Sequence, residues 1–117
     1  VVRDARGVRL AHASTAAGKI VVETPEEYLR NNGSYCIYAV KPPCPVSAEG
    51  IRQTVDSLVA HGVKFDFDFD HTTPDALYCT EMVVTVFEAN SCSAFSSLRQ
   101  QSYIYPIDLL LRIGNSR

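Results

Sequence analysis

Residues 64–83 contain the run Lys64-Phe65-Asp66-Phe67-Asp68-Phe69-Asp70 and, after a short polar gap, Leu77-Tyr78-Cys79-Thr80-Glu81-Met82-Val83. The first run alternates Phe and Asp at period two, which predicts a strand with one apolar and one polar face. The second changes to helical spacing, with Cys79, Met82, Val83, Val86, Phe87 and Asn90 along one stripe. Thr73, Pro74 and Asp75 lie between them and offer N-cap and first-turn chemistry for that helix. Cys79 then falls in a first helical turn, where the positive end of the helix dipole favours the thiolate, the nucleophilic form.

Upstream of this run, Val1-Val2 reads as the end of a strand and Asp4-Ala5-Arg6-Gly7 as a turn. Val8, Leu10 and His12 share one face of a second strand. Ser14 to Gly18 turns the chain into a third strand, Lys19 to Val22. Thr24-Pro25-Glu26-Glu27 is a capping box with Pro at the first helical position, which predicts a short helix to about Arg30, stopped by Asn31-Asn32-Gly33. Asn32-Gly33-Ser34 matches a glycosylation acceptor, but helix-stop chemistry accounts for it more simply. Tyr35 to Val40 is aromatic and β-branched and reads as a strand. Pro42, Pro43 and Pro45 forbid regular structure after it. Ser47 caps the next helix, with Val46 and Ile51 as a hydrophobic staple, a buried stripe of Ile51, Val55, Leu58 and Val59, and Gly62 as the stop.

Downstream, the Cys79 helix is expected to end near Asn90, Ser91 to Ser97 to form a loop, Ser102 to Tyr105 a last strand, and Pro106 to Leu111 a closing turn of helix. Hairpin-length connections early in the chain favour an α+β fold, an antiparallel sheet packed against helices. With 117 residues, 46% of them hydrophobic, the chain reads as one domain with an ordinary core. Val1 in place of an initiating Met is read as a processed or trimmed start.

Composition excludes several classes of function. A net charge of −2 with no basic run argues against nucleic acid and against an anionic membrane surface. No apolar run approaches the ~20 residues of a membrane span. The four cysteines, Cys36, Cys44, Cys79 and Cys92, have no CxxC spacing, which argues against zinc. A disulfide framework is not expected in a chain with this much core, although Cys36 and Cys44 can pair across the Pro42-Pro43 bend. Asp66, Asp68 and Asp70 suggest a metal ladder, but as a calcium loop the pattern fails, since His71 occupies the position that needs glycine and Leu77 the position that needs a bidentate Glu. Solvated carboxylates on the open face of a strand are the better account, so neither a metal nor a cofactor is expected.

A thiol nucleophile needs an imidazole within hydrogen-bond reach. Of the three histidines, His61 lies at a helix C-terminus, where a cation is favoured by the dipole alone. His71 sits in the acidic loop before Cys79, and His12 projects from a strand beside apolar residues.

The segment from Phe65 to Val83 resembles the YiiX/YebB-like branch of the NlpC-type, circularly permuted papain-fold cysteine hydrolases. That branch shows a Tyr-Asp-x-x-Phe-Asp-like strand, a short acidic gap, then Tyr-Cys-Ser-Glu-Leu-Val, matched here by Phe65 to Asp70 and by Tyr78-Cys79-Thr80-Glu81-Met82-Val83. Val8 to Ser14 with Gly18 to Val22 resembles the strand pair after the family's histidine strand, and Tyr105-Pro106-Ile107-Asp108-Leu109-Leu110 its closing Pro-x-Asp-Leu segment. The resemblance implies a single papain-like domain over residues 1–117, lacking its natural N-terminal segment. It implies Cys79 as nucleophile through an acyl-enzyme. It aligns His12 with the residue that orients the base, and the base itself then lies upstream of Val1. The implied activity is a thiol hydrolase, a peptidase, amidase or acyl-ester hydrolase or acyltransferase, acting on a small amide, a peptide or a lipid ester. Such enzymes fit the cell envelope or cytoplasm of a bacterium. The alternative is a non-catalytic binding or structural domain on the same scaffold, without a base. Substrate and oligomeric state are open at this stage.

Overall fold

A computed structural model describes residues 1–33, 39–70, 72–73 and 75–115. The fold is α+β: a curled five-stranded sheet in the order β1-β2-β3-β4-β5, accompanied among the described residues by four α-helices. β1 (Val2–Asp4), β2 (Gly7–Ser14) and β3 (Lys19–Glu23) form an antiparallel meander, with His12 opposite Val21 and Leu10 opposite Glu23. β4 (Lys64–Phe65) pairs antiparallel with β3 through Lys19 and Lys64, and Phe65 donates its N–H to the Gly18 carbonyl. β5 (Ala76–Leu77) runs parallel to β4, so the sheet is not wholly antiparallel as its early hairpins suggest.

The helices start where their capping chemistry places them. In α1 (Pro25–Asn32), Thr24 Oγ1 accepts from the Glu27 N–H and Glu27 Oε1 from the Thr24 N–H, each at 3.1 Å, a complete capping box. In α2 (Ala48–Ala60), Ser47 Oγ accepts from the Gly50 N–H, and Val46 and Ile51 occupy the staple positions. Gly33 and Gly62 follow the two helices in left-handed conformations that favour glycine. Val55 is fully enclosed and Ile51 and Leu58 partly so, whereas Val59, expected on the buried stripe, faces solvent.

The Phe/Asp alternation does not continue as a strand. Pairing stops at Phe65, because the Asp66 carboxylate turns back on its own backbone: Oδ1 accepts from the Asp68 N–H at 3.0 Å and Oδ2 from the Asp70 N–H at 2.7 Å. A short acidic side chain that satisfies local N–H groups competes directly with a sheet ladder. Asp66 is accordingly buried, not solvated, and Phe69 takes a left-handed conformation (φ 54°). The three aspartates therefore do not line a strand face, and no group of metal-ligating side chains occurs among the described residues.

α3 (Cys79–Ala89) does not begin at Thr73 to Asp75. Ala76 and Leu77 are drawn into the sheet as β5, and the helix starts after Tyr78, whose N–H donates to Glu81 Oε1 at 3.2 Å. Pro74 lies outside the described residues, as do His71 and residues 35–38 of the expected Tyr35–Val40 strand; Ala39 and Val40 are not in a strand. After α3, a 3₁₀ turn (Ser96–Gln100) occupies part of the expected loop, and α4 (Pro106–Asn115) is longer than the single turn expected. Residues 102–105 form no strand. Instead both backbone groups of the fully buried Ile104 are taken by side chains beside Cys79. Its N–H donates to the Tyr78 hydroxyl at 3.2 Å, and its carbonyl accepts from Thr80 Oγ1 at 2.5 Å.

A disulfide joins Cys44 to Cys92, 48 residues apart in sequence, in place of the Cys36–Cys44 pairing left open by the sequence; Cys36 itself lies outside the described residues. The three prolines explain the need for it. They leave residues 39–47 without a ladder to hold them, and a covalent tie to the end of α3 does so instead.

Candidate active site

α3 packs against β2, which brings the helix that carries Cys79 onto the strand that carries His12. Both side chains line one cavity of about 780 Å³. Cys79 is the first residue of α3 and solvent-exposed, between Tyr78 and Thr80, which are buried. Their bonds to Ile104 fix the backbone on either side of the sulfur, and the Glu81 carboxylate closes the turn from below. The stripe read from the sequence is the face α3 gives to the cavity: Met82, Val83, Val86 and Phe87 all line it with Cys79. Asn90, at the end of that stripe, reaches α2 instead and donates to Thr54 Oγ1 at 3.0 Å.

His12 is half-buried, and its ring is held from two sides. Nε2 lies 2.8 Å from Glu23 Oε2, and the ring stands edge-on to Tyr28 with centroids 5.0 Å apart. Glu23 Oε1 accepts from Asn31 Nδ2 at 2.9 Å, so both carboxylate oxygens are engaged. Tyr28 and Asn31 are three residues apart on α1 and so share one face of it, the face turned to His12 and Glu23. Hydrogen bonds from His12 and then Asn31 hold the Glu23 carboxyl below the ordinary carboxylate range, against a smaller opposing effect of desolvation.

Glu23 is the functional candidate that sequence reasoning missed. It lies one residue past the expected end of the third strand, diagonal to His12 across the hairpin: His12 faces Val21, and Glu23 is two residues further on the same side. The signal was available once the hairpin was placed about its Ser14–Gly18 turn. Tyr103 is a second. It stacks on Tyr78 (5.0 Å, 16°), and burial, followed by electrostatic interaction with Cys79 and Tyr105, pushes its phenol above the usual value. Of the other histidines, His61 caps α2, with Nδ1 at 2.7 Å from the Ser57 carbonyl, away from the cavity lining.

Much of the remaining lining is apolar: Ile51 and Val55 from α2, Leu109 and Ile113 from α4, Ala11 from β2, and Val40, Pro42 and Pro43 from the disulfide-tied strap. Arg3 and Lys41 are the formal charges among the lining residues, and both are positive. No helix among the described residues is long and apolar enough to cross a membrane. Comparison with protein-family models, curated proteins and solved structures finds no match for this chain.

Proposed function

We infer that the chain is a thiol hydrolase of the circularly permuted, papain-like NlpC type, with Cys79 as nucleophile, His12 as general base and Glu23 as the carboxylate that orients the base. The single observation that carries this reading is one cavity shared by an exposed cysteine at a helix start and an imidazole already paired through Nε2 to a carboxylate. With Nε2 directed at Glu23, Nδ1 is the nitrogen left to take the thiol proton, and the carboxylate stabilises the imidazolium that forms.

In this mechanism His12 accepts the proton of Cys79 as the sulfur attacks the substrate carbonyl carbon. The bond to the leaving oxygen or nitrogen breaks, His12 returns the proton to that atom, and a thioester to Cys79 remains. Water, deprotonated by the same imidazole, attacks the thioester carbonyl. The acid departs and the thiol is regenerated.

The test is turnover of p-nitrophenyl acetate by the wild type, Cys79→Ala and His12→Ala, with mass spectrometry of the peptide that carries Cys79. The reading expects an acetyl adduct on Cys79, loss of turnover in Cys79→Ala, and a fall of about 10²-fold or more in His12→Ala, the usual range for a positioned base. Turnover that survives Cys79→Ala would sink it. No turnover by any form, with ligand affinity unchanged in Cys79→Ala, would identify a non-catalytic binding domain on the same scaffold.

A further inference from the structure

An exposed row of aromatic rings runs up to the start of α3, outside the cavity. We propose that Phe67, Phe69, Tyr103 and Tyr105, with the Asp68 carboxylate at their side, form a docking surface for an arginine side chain of a peptide. Binding there is independent of the reaction at Cys79 and needs no turnover.

Three observations carry it. The first is the exposure of rings that are nonetheless contiguous. Phe67, Phe69 and Tyr105 are 62%, 41% and 58% exposed. Phe67 and Phe69 both touch Phe65, Phe69 meets Tyr103 with centroids 5.4 Å apart, and Tyr103 meets Tyr105 at 4.7 Å. Single exposed apolar side chains are ordinary, whereas a continuous group of them marks a contact surface. The second is fixed shape. Asp66 accepts from the N–H groups of Asp68 and Asp70 through its carboxylate and from that of Phe69 through its carbonyl, which presents residues 67–70 on one closed turn. At the other end Asp108 Oδ2 accepts from the Tyr105 N–H at 2.8 Å. A surface already in place costs a ligand less ordering. The third is charge. Asp68 and Asp70 are both exposed and flank Phe69, and no Lys or Arg occurs from residue 65 to residue 98. Arg99, the next cation in sequence, is engaged by Glu88 and Thr85.

Arginine answers all three. An apolar partner would cover the rings but strip water from the carboxylates beside them and offer nothing in return. A guanidinium lies flat on a ring face while its N–H groups stay available to a carboxylate. Lysine, a more strongly hydrated point charge, fits this pairing less well. Asp70 Oδ1 already accepts from the N–H and hydroxyl of Thr72, which leaves Asp68 as the carboxylate assigned to the ion pair. Tyr103 also stacks on Tyr78, the residue before Cys79, so the row ends next to the exposed sulfur.

The test is an NMR titration of the isotope-labelled chain with two blocked peptides, acetyl-Gly-Arg-Gly-amide and acetyl-Gly-citrulline-Gly-amide. Their side chains have nearly the same shape and differ in charge. The arginine peptide should give saturable shifts confined to residues 67–70 and 103–105, with a Kd that rises as salt is added. The citrulline peptide should bind several-fold more weakly. Tyr105→Ala should weaken arginine binding about two- to fivefold, the factor that corresponds to the ~0.5–1 kcal/mol of an exposed cation–π contact. Tyr105→Phe keeps the ring and should bind as the wild type does. Asp68→Asn should weaken binding and flatten its salt dependence. Equal binding of the two peptides, or shifts that map to another face, would overturn the proposal. Self-association of the free chain that Tyr105→Ala abolishes would assign the row to a second copy and overturn it too. Absence of binding by either peptide would do the same, and would leave the hydrolase reading, which is judged by acetylation of Cys79, untouched.

Discussion

His12 Nε2 and Glu23 Oε2 lie 2.8 Å apart across the β2–β3 hairpin, and the second carboxylate oxygen is held by Asn31 of α1. The pairing fixes which ring nitrogen is left for other partners, and it ties the imidazole to two secondary-structure elements at once. Glu23→Gln keeps the shape and removes the carboxylate that holds the ring. Turnover of p-nitrophenyl acetate should fall by about 10²-fold or more in this variant, while far-UV circular dichroism stays unchanged. Wild-type rates in Glu23→Gln would show that the carboxylate has no part in the reaction.

The same carboxylate makes stability depend on pH. Its folded-state pKa is depressed, chiefly by the hydrogen bond from His12, below a reference value of 4.5. Depression means that the unfolded chain takes up the proton first. The stabilisation is therefore present above about pH 4.5 and is lost as pH falls from there through the folded value. Thermal melts of wild type and Glu23→Gln between neutral and acid pH should differ most above this window and converge below it. A constant difference in Tm across the range would contradict the assignment.

Ile104 supplies a test of what holds Cys79 in place. Its buried N–H is satisfied by the Tyr78 hydroxyl. Tyr78→Phe leaves that donor without its partner, which costs about 1–3 kcal/mol, read as a lower urea midpoint at unchanged slope. Because Tyr78 precedes the cysteine directly, the rate of Cys79 alkylation should change in the same variant. Ser57→Ala, on α2 beside His61 and outside the cavity lining, should leave that rate unaltered.

Gly50 lets α2 approach α3. A Cβ at this position would run into Asn90 Oδ1, while Asn90 Nδ2 is held by Thr54 Oγ1 and the Val86 carbonyl. Gly50→Ala should destabilise the wild type even though alanine is the better helix former by roughly 1 kcal/mol. In an Asn90→Ala background the collision is gone, and the same substitution should be neutral or stabilising. A double-mutant cycle by chemical denaturation should give a coupling of about 1 kcal/mol or more. Additive effects would place the clash elsewhere.

The Cys44–Cys92 bond closes a loop across a sequence separation of 48, for which chain entropy predicts a stabilisation of about 4 kcal/mol. Reduction, or a Cys44→Ala/Cys92→Ala double substitution, should lower stability by an amount of that order. Since the strap bearing Val40, Pro42 and Pro43 is what the bond secures and also lines the cavity, the rate of Cys79 alkylation should change in the same variant. An unaltered melting curve after verified reduction would show that non-covalent contacts hold the strap.

What the sequence revealed of this fold follows the reach of the interactions concerned. Thr24-Pro25-Glu26-Glu27 and Ser47 announce their helices because the capping bonds span three residues, and the structure contains those bonds. The apolar stripe from Cys79 to Phe87 was legible because one helix carries it, and it faces the cavity beside His12. Asp66 misled because alternation counts side chains by polarity, whereas this carboxylate bonds to the N–H groups of Asp68 and Asp70 and ends the strand. Cys79 does fall in the first turn of α3, but the cap is Tyr78 and not Thr73 to Asp75, because Ala76 and Leu77 are claimed by a partner strand that no local signal marks. The Cys44–Cys92 bond left no trace in spacing, since nothing local links positions so far apart. Glu23 was missed by one residue at a strand end, where boundaries are least defined.

The parallel pairing of β4 with β5 has a kinetic consequence. His12 and Glu23 meet through one tight hairpin, so that half of the arrangement costs little loop closure and can form early in refolding. Cys79 joins only after two helices and the strap have been gathered in and a crossover has laid Ala76 and Leu77 beside Lys64 and Phe65. The native rate of Cys79 alkylation should therefore return later than hairpin structure in a stopped-flow experiment, with its delay set by the non-local half of the chain.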